Sequence, residues 1–105
     1  MSSRGKGNAS ELKCQKFLEA EGFLVQRAGY RRFQQNDFFN LFDVMAIKPG
    51  ITLFVQVKTN AKPGRKVFQD IADFMQKYPQ FDAEIWIWCE KRRTGRTGWR
   101  KFQFN

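Results

Sequence analysis

The chain has 105 residues, enough for one domain with a single modest hydrophobic core. It contains no histidine, and its two cysteines, Cys14 and Cys89, do not form a metal-ligand spacing, which argues against a zinc site and against histidine-based acid–base catalysis. Nineteen Lys and Arg residues against ten Asp and Glu residues give a formal net charge of +9, which favours nucleic acid as partner ahead of an anionic membrane surface.

The sequence also bears on the expected cellular location. No apolar run approaches the roughly 18 residues of a membrane span, and MSSRGKGNAS lacks the apolar core of a signal peptide. We therefore expect an intracellular, cytoplasmic protein with no membrane partner. The two thiols are then expected to be buried and reduced, with one disulfide as the alternative.

The first predicted element is a helix that follows a flexible basic start at residues 1–7. Asn8 or Ser10 can cap it, and Asn8 with Glu11 has the spacing of a capping box. We expect the helix to run to about Glu21, where Gly22 ends it. Three of its residues are expected to be buried: Leu12, Phe17 and Leu18.

The middle of the chain predicts three strands. Residues 22–30 (GFLVQRAGY) form the first, and the polar, aromatic segment 31–40 is expected to be a loop. Two apolar runs within 41–58 then flank Pro49 and Gly50, as in a β-hairpin.

The last part of the chain predicts a helix and two more strands. A basic loop, 60–66, leads into a helix over 67–78, which places five apolar residues on one face: Val67, Ile71, Phe74, Met75 and Tyr78. The almost wholly apolar 83–90 is expected to be a central strand, and a basic turn leads to a last strand at 99–104. The order α-β-β-β-α-β-β predicts one α/β domain over the whole chain, with a mixed sheet of about five strands flanked by helices.

Three polar residues interrupt the apolar hairpin: Asp43 in its first run, and Gln56 and Lys58 in its second. An even-length loop at Pro49 and Gly50 places Asp43 opposite Gln56, and Lys58 then projects to the same side. A carboxylate and an amide oxygen can hold Mg²⁺, and a neighbouring ammonium can assist a water nucleophile or stabilise a phosphate under attack. The alternative is a partly exposed Asp–Lys pair worth ~1 kcal/mol or less.

A set of motifs in this order resembles the PD-(D/E)xK nuclease superfamily, and within it the archaeal-type Holliday junction resolvases. The match covers roughly residues 4–75. Its pieces are Arg4-Gly5-Lys6-Gly7 before Glu11, Gly22-Phe23-x-Val25-x-Arg27, Asp43-Val44-Met45-Ala46 and Val55-Gln56-Val57-Lys58.

The resemblance implies a restriction-endonuclease-like fold and a metal-dependent nuclease site. Glu11, Asp43 and Gln56 would ligate Mg²⁺, for which Mn²⁺ would substitute, and Lys58 would assist the nucleophile. Arg27 would contact phosphate. A prokaryotic or phage origin and a role in DNA recombination and repair are implied as well.

Two departures from the family pattern stand out. Gln56 occupies a position that is usually a carboxylate, which removes one negative charge; nucleases of the superfamily with a Q-x-K motif are active. The segment 28–42 is longer than resolvases usually carry before the aspartate. It contains Asp37, which is a possible extra ligand, although a solvated loop aspartate is the favoured interpretation.

Basic residues are expected to hold DNA phosphates around the hairpin's open end, with little sequence information. The candidates are Arg4, Lys6, Arg27, Arg31, Arg32, Lys62, Arg65 and Lys66. A later basic cluster, Lys91-Arg92-Arg93, is equally well explained as a DNA contact or as a solvated turn. Phe33, Phe38 and Phe39 could stack on a base, although core or dimer contacts are favoured.

The prediction is thus an Mg²⁺-dependent, structure-selective endodeoxyribonuclease, a Holliday junction resolvase that makes paired nicks in four-way junctions. We expect a homodimer, with Trp86, Trp88 and Trp99 on the late strands available for the interface. A restriction- or repair-type nuclease on duplex, nicked or flapped DNA is the first alternative. A non-catalytic DNA-binding module is the second.

Overall fold

Two helices pack on opposite faces of a five-stranded sheet in the computed structural model of the chain. The structure describes residues 3–31, 34–35, 37–90 and 97–104, and side chains at 9–29, 37–90 and 97–104. The elements are α1 (Ser3–Ala20), β1 (Leu24–Arg27), β2 (Tyr30–Arg31), β3 (Gln34–Gln35), β4 (Val44–Lys48), β5 (Ile51–Thr59), α2 (Arg65–Lys77), β6 (Asp82–Glu90) and β7 (Thr97–Phe104).

The main sheet has the strand order β1-β4-β5-β6-β7, in which only β5 and β6 pair in parallel. The predicted α/β class and mixed five-stranded sheet are therefore confirmed. Because β5 and β6 run in the same direction, Thr59 and Glu90 end at the same edge of the sheet. The antiparallel β4 begins at that edge. Asp43, just before β4, and Gln56 and Lys58, near the end of β5, thus lie toward this edge.

The predicted hairpin is confirmed as β4 and β5, with Val44 opposite Val55 and Ala46 opposite Leu53. Pro49 and Gly50 form the connection, and Gly50 has a φ of 80°, which glycine adopts without strain. An even-length loop keeps the two apolar faces of the strands in phase. This pairing determines which residues of β4 and β5 are neighbours of the polar residues of the hairpin.

The first helix differs from the prediction at its start and on its buried face. It begins at Ser3, upstream of the predicted caps Asn8 and Ser10. Leu12 and Phe17 are each 40% exposed, whereas Leu18 is buried as predicted. The buried stripe is Ser10, Glu11, Cys14 and Leu18, which follows helical spacing. Two of these four are polar, so the stripe is not visible as an apolar pattern.

The second helix buries Ile71, Phe74 and Met75, as its periodicity predicts. Tyr78 falls just past the last helical residue and is 45% exposed, so its predicted place on the buried face is wrong. Among the described residues, neither helix is long and apolar enough to cross a membrane.

The sheet separates two hydrophobic clusters. The α1 side contains Cys14 and Leu18 with Val44, Val55, Val57 and Trp86, and the α2 side contains the helix residues with Phe42, Phe54, Ile85 and Ile87. Strand β6 contributes to both, which confirms it as a central strand covered on both faces. Cys14 is buried and Cys89 half-buried, and neither forms a disulfide.

The segment predicted as a loop at 31–40 carries regular structure in its described part. Tyr30 pairs with Gln35 and Arg31 with Gln34 in a small separate ladder, and Phe38 bridges to Phe42. Such short ladders cannot be predicted from the sequence, because one or two backbone pairs form without an apolar face and therefore leave no alternating pattern of apolar side chains.

Candidate active site

The chain makes a β-bulge at Asp43, where β4 begins. The Asp43 N–H donates to the Val55 carbonyl at 2.9 Å, while the Asp43 carbonyl accepts from the Ala28 N–H at 2.8 Å. In a regular strand both groups of one residue point to the same neighbouring strand, so Asp43 is an extra residue in the pairing. Phe42 and Val44 consequently pack on opposite faces of the sheet, although they are two residues apart.

The bulge directs the Asp43 carboxyl to the backbone of β5. Its Oδ2 accepts the Val57 N–H at 2.8 Å, and the residue is 6% exposed. The predicted pairing of Asp43 with Gln56 is therefore wrong by one position, since Asp43 and Val44 both lie opposite Val55. The error has a simple cause: one extra residue in the strand shifts the alternation by one position.

Glu11 of α1 lies close enough to Asp43 to raise its pKa by charge repulsion. Glu11 is 5% exposed. The preceding residue, Ser10, is buried, and its hydroxyl shares a hydrogen bond with the Thr59 hydroxyl at the end of β5. This contact attaches the helix beside the bulge and so positions Glu11. Sequence reasoning missed it, because a serine and a threonine 49 residues apart carry no pattern.

Asp37 also belongs to this group of carboxyls. It is half-buried, and a side-chain hydrogen bond links it to Asp43. The pKa of Asp43 is raised from its ordinary value of 3.8 to about 7, first because burial removes the carboxyl from water, and further by the charges of Glu11 and Asp37. The hydrogen bond from Val57 opposes this rise. The favoured interpretation of Asp37 as a solvated loop residue is thus wrong.

Gln56 and Lys58 flank the Val57 N–H that Asp43 accepts. Both side chains are half-buried. They alternate with Val55 and Val57, whose side chains lie on the α1 face, so Gln56 and Lys58 project to the α2 face. Asp43, just before β4, accepts the N–H of Val57, the residue between Gln56 and Lys58, while Glu11 approaches Asp43 from α1.

The donor set suits a hard cation with few protein ligands. Among the described residues, no group of three His, Cys, Asp or Glu side chains is arranged to hold a metal ion. Mg²⁺ commonly takes only one or two carboxylates and completes its shell with water and substrate phosphate. Two nearly inaccessible carboxyls, Asp43 and Glu11, fit such an ion, because burial and then the charge of Glu11 raise the pKa of Asp43 when no cation is beside it. Burial raises the pKa of the Cys14 thiol, and the charges of Asp43 and Glu11 raise it further.

The predicted phosphate contacts lie in several places. Arg27 ends β1 opposite Val44, next to the bulge, and is half-buried. Arg65 begins α2 and is exposed. Lys62 lies over the Phe102 ring at 5.7 Å, and Lys66 pairs with Asp70 at 3.1 Å. Arg4 and Lys6 are in the first turns of α1 and Arg31 is in β2, by backbone only, while Arg32 and Phe33 lie outside the described residues.

The late basic cluster, Lys91-Arg92-Arg93, also lies outside the described residues, but the residues on either side of it are placed. Glu90 pairs with Thr97, and the Glu90 N–H donates to Oδ1 of Asn60 at 2.8 Å. The chain therefore leaves and re-enters the sheet at the same edge as the carboxyls.

Trp86 is not available for an interface, contrary to the prediction. It is 2% exposed and packs against Phe17 and Trp99. Trp88 and Trp99 are half-buried and stack edge to face at 5.1 Å.

Comparisons with known proteins support the fold. No protein-family model matches the chain, and no curated protein matches it. Among solved structures, it is similar to Archaeoglobus fulgidus Hjc, a Holliday junction resolvase from an archaeal hyperthermophile, with a TM-score of 0.66 and 19% sequence identity over 93% of this chain and 72% of that chain. The chain has the resolvase fold. At this identity the similarity extends to the architecture, and the activity has to be argued from the site.

Proposed function

We propose that this protein is a metal-dependent endodeoxyribonuclease that resolves four-way DNA junctions. The observation that carries the proposal is the buried carboxyl of Asp43, held by a β-bulge beside Glu11 on a fold shared with a Holliday junction resolvase. A buried cluster of carboxyls lowers the stability of the fold unless a cation joins it. The net charge of +9 favours DNA as the polyanion that reaches this edge.

Asp43 and Glu11 would hold Mg²⁺, with Mn²⁺ as a substitute, and the Gln56 amide oxygen, water and substrate phosphate would complete its oxygen shell. When bound, the ion would lower the pKa of a water and neutralise charge on the phosphate. The missing charge at position 56 is then offset by Asp37, a carboxyl from the segment 28–42.

Lys58 would orient the attacking water or stabilise the phosphate, because it follows Val57, whose N–H donates to the Asp43 carboxyl. Arg27 would hold the neighbouring phosphate from β1. Both are cations, so each would interact more strongly with the extra negative charge of the transition state than with the ground state.

Resolution of a four-way junction needs two symmetric cuts, while the described residues of each chain bring together one group of buried carboxyls. A two-fold homodimer with both sites facing one junction is the simplest assembly. Trp88 and Trp99 are the late-strand aromatics that could contribute to its interface.

The test uses a labelled four-way junction and a linear duplex of equal length and sequence. With Mg²⁺ we expect paired nicks in opposed arms of the junction, little cutting of the duplex, and no product in EDTA. Asp43→Asn should bind the junction as well as wild type or better, because it removes a negative charge near phosphates, and should not cut it.

Equal cutting of junction and duplex would indicate a restriction- or repair-type nuclease instead of a resolvase. Junction binding without cutting over a wide range of Mg²⁺ and Mn²⁺ concentrations would indicate a non-catalytic DNA-binding module. A protein that remains monomeric at micromolar concentration would contradict the symmetric mechanism.

A further inference from the structure

The charged side chains of β5, β6 and β7 are divided between the two faces of the sheet. The two isoleucines of β6 pack in the α2-side cluster, so the alternation along that strand directs its carboxylates, Asp82, Glu84 and Glu90, to the α1 face. Arg100 shares the α2 face with the two phenylalanines of β7, and Lys58 projects there from β5. Among the described residues of these three strands, the α2 face thus carries two cations and no carboxylate.

The two cations lie in one row across the sheet. Lys58 is the partner of Ile87 in the parallel ladder, and Ile87 is the partner of Arg100 in the antiparallel ladder. Two strand spacings separate Lys58 from Arg100, which is on the order of 10 Å between their Cα atoms. Because β7 and β1 are the two edge strands, Arg100 and Arg27 lie on opposite sides of the candidate active site.

A third cation joins Arg100 above β7. The Lys62 Nζ lies 5.7 Å from the centre of the Phe102 ring, and the Arg100 Cζ lies 5.1 Å from the same centre. The ring is half-buried and packs edge to face on Phe68 of α2 at a centroid distance of 5.5 Å. It therefore provides a fixed surface on which two long, exposed side chains rest.

The described part of the chain supplies no counter-charge for this group. Lys58, Lys62 and Arg100 form no ion pair with another described residue, whereas Lys66, in the first turn of α2, pairs with Asp70 at 3.1 Å. Cations that are gathered on one face repel each other, and an anion that joins them removes this repulsion. The row therefore has the charge of a binding site for a polyanion, and it begins at the candidate active site.

We propose that Lys62 and Arg100 together hold one phosphate of the DNA strand that is cut at Asp43. The inference rests on the proposed function, since it takes that strand as the ligand. A separation on the order of 10 Å corresponds to about three nucleotides at the rise of duplex DNA, so the phosphate lies within about three nucleotides of the one at Lys58. The arginine can bind it through two N–H groups, and the lysine adds a point charge.

This contact gives the strand a direction on the protein. The strand crosses the sheet on the α2 face, from the candidate active site toward β7, and the phosphate held there lies on one side of the cut. A contact to the phosphate backbone positions DNA without reading its bases. The role of Arg100 is thus to position the substrate, independently of its sequence.

The test scans a four-way junction in which single phosphates on either side of the cut are replaced, one at a time, by neutral methylphosphonates. Binding is measured in EDTA, so that no strand is cleaved. Arg100→Gln and Lys62→Gln should each weaken binding of the unmodified junction roughly 8-fold at about 0.1 M salt, the contribution of one released counterion, and should lower the slope of log K against log salt by about 1. One methylphosphonate, on one side of the cut, should weaken wild-type binding similarly and should make both variants bind within about twofold of wild type.

Lys101→Gln is the matched control. It removes one positive charge from the next residue of β7, whose side chain lies on the opposite face, 4.0 Å from the centre of the Trp86 ring. We expect this variant to bind the unmodified junction within about twofold of wild type and to keep the full sensitivity to the methylphosphonate. Because Arg100 and Lys62 are exposed, the Tm of their variants should stay within a few degrees of wild type.

Two outcomes would overturn the inference. One is a loss of affinity in Arg100→Gln that no single methylphosphonate abolishes, which would show that the residue contributes only to the overall positive field. The other is a loss in Lys101→Gln as large as that in Arg100→Gln. Cleavage by a protein with either result would leave the nuclease standing, whereas an Arg100-dependent phosphate in a protein that never cleaves would support the contact and refute the nuclease.

Discussion

Replacing Asp43 by asparagine should stabilise the protein at neutral and alkaline pH while removing its cleavage activity. The pKa of Asp43 rises from 3.8 to about 7 on folding, chiefly because burial disfavours the charged carboxylate. Well below pH 3.8 the carboxyl is protonated in both states, and between pH 3.8 and about 7 it stays protonated mainly in the folded state. As the pH increases through this window the unfolded chain loses its proton first, so wild type loses up to about 4 kcal/mol of stability by pH 8.

The variant has no proton to lose at this position, and its amide oxygen can still accept the Val57 N–H. We therefore expect Asp43→Asn and wild type to be similarly stable near pH 3 and to diverge as the pH increases, with a Tm at pH 8 higher in the variant by up to roughly 15 °C or more. Urea unfolding at several pH values without metal measures the difference. A difference that is constant with pH, or a less stable variant at pH 8, would refute the argument from buried charge.

Four further outcomes follow from the described contacts. Gln56→Glu should still cleave and should need less Mg²⁺, because carboxylates hold hard cations better than amides; a folded, inert variant in a Mg²⁺ titration would exclude a ligand role. Lys58→Met should slow single-turnover cleavage roughly 100-fold or more, with junction affinity in EDTA within about threefold of wild type. Ser10→Ala leaves Thr59 without its partner and should cost ~1–2 kcal/mol in urea unfolding. Ile71→Ala opens a cavity under α2 and should cost ~2–5 kcal/mol by the same measurement, whereas a loss below ~1 kcal/mol would contradict its complete burial.

The parts of the fold that could be predicted are those with strong periodic signals. The run from Val67 to Met75 repeats its apolar residues at helical spacing, and β6 is apolar on both faces, so both elements are found where expected. The hairpin register follows from the even number of residues around Pro49 and Gly50. In each case local pattern and tertiary packing favour the same structure.

The polar residues of the candidate site are recognisable in the sequence, but their geometry is not. Asp43, Gln56 and Lys58 are recognisable as polar residues in apolar strands, yet the bulge at Asp43 depends on backbone hydrogen bonds to two neighbouring strands. No side-chain pattern specifies an extra residue of this kind. The buried face of α1 is similarly concealed, because its inward residues include the polar Ser10 and Glu11, which lie beside Thr59 and Asp43.

Asp37 illustrates the same limit. Within the sequence it is one aspartate in a polar segment, and the composition around it favours a solvated loop. Its contact with Asp43 arises because the turn at Phe39 and Asn40 folds the chain back within six residues. A turn that requires two left-handed residues is signalled by glycine or asparagine at both positions, and here a phenylalanine occupies the first.

The central claim is that the Asp43 carboxyl holds a divalent ion at the edge of the sheet, and a crystal soaked in Mn²⁺ tests it most directly. We predict an anomalous difference peak at about 2.1 Å from an Asp43 carboxylate oxygen, the distance of a compact oxygen-bound cation, with Glu11 in its coordination shell directly or through water. The peak should disappear in Asp43→Asn crystals grown in the same form. An ordered Asp43 with no peak beside it, in crystals of protein that cleaves DNA with Mn²⁺, would contradict the account.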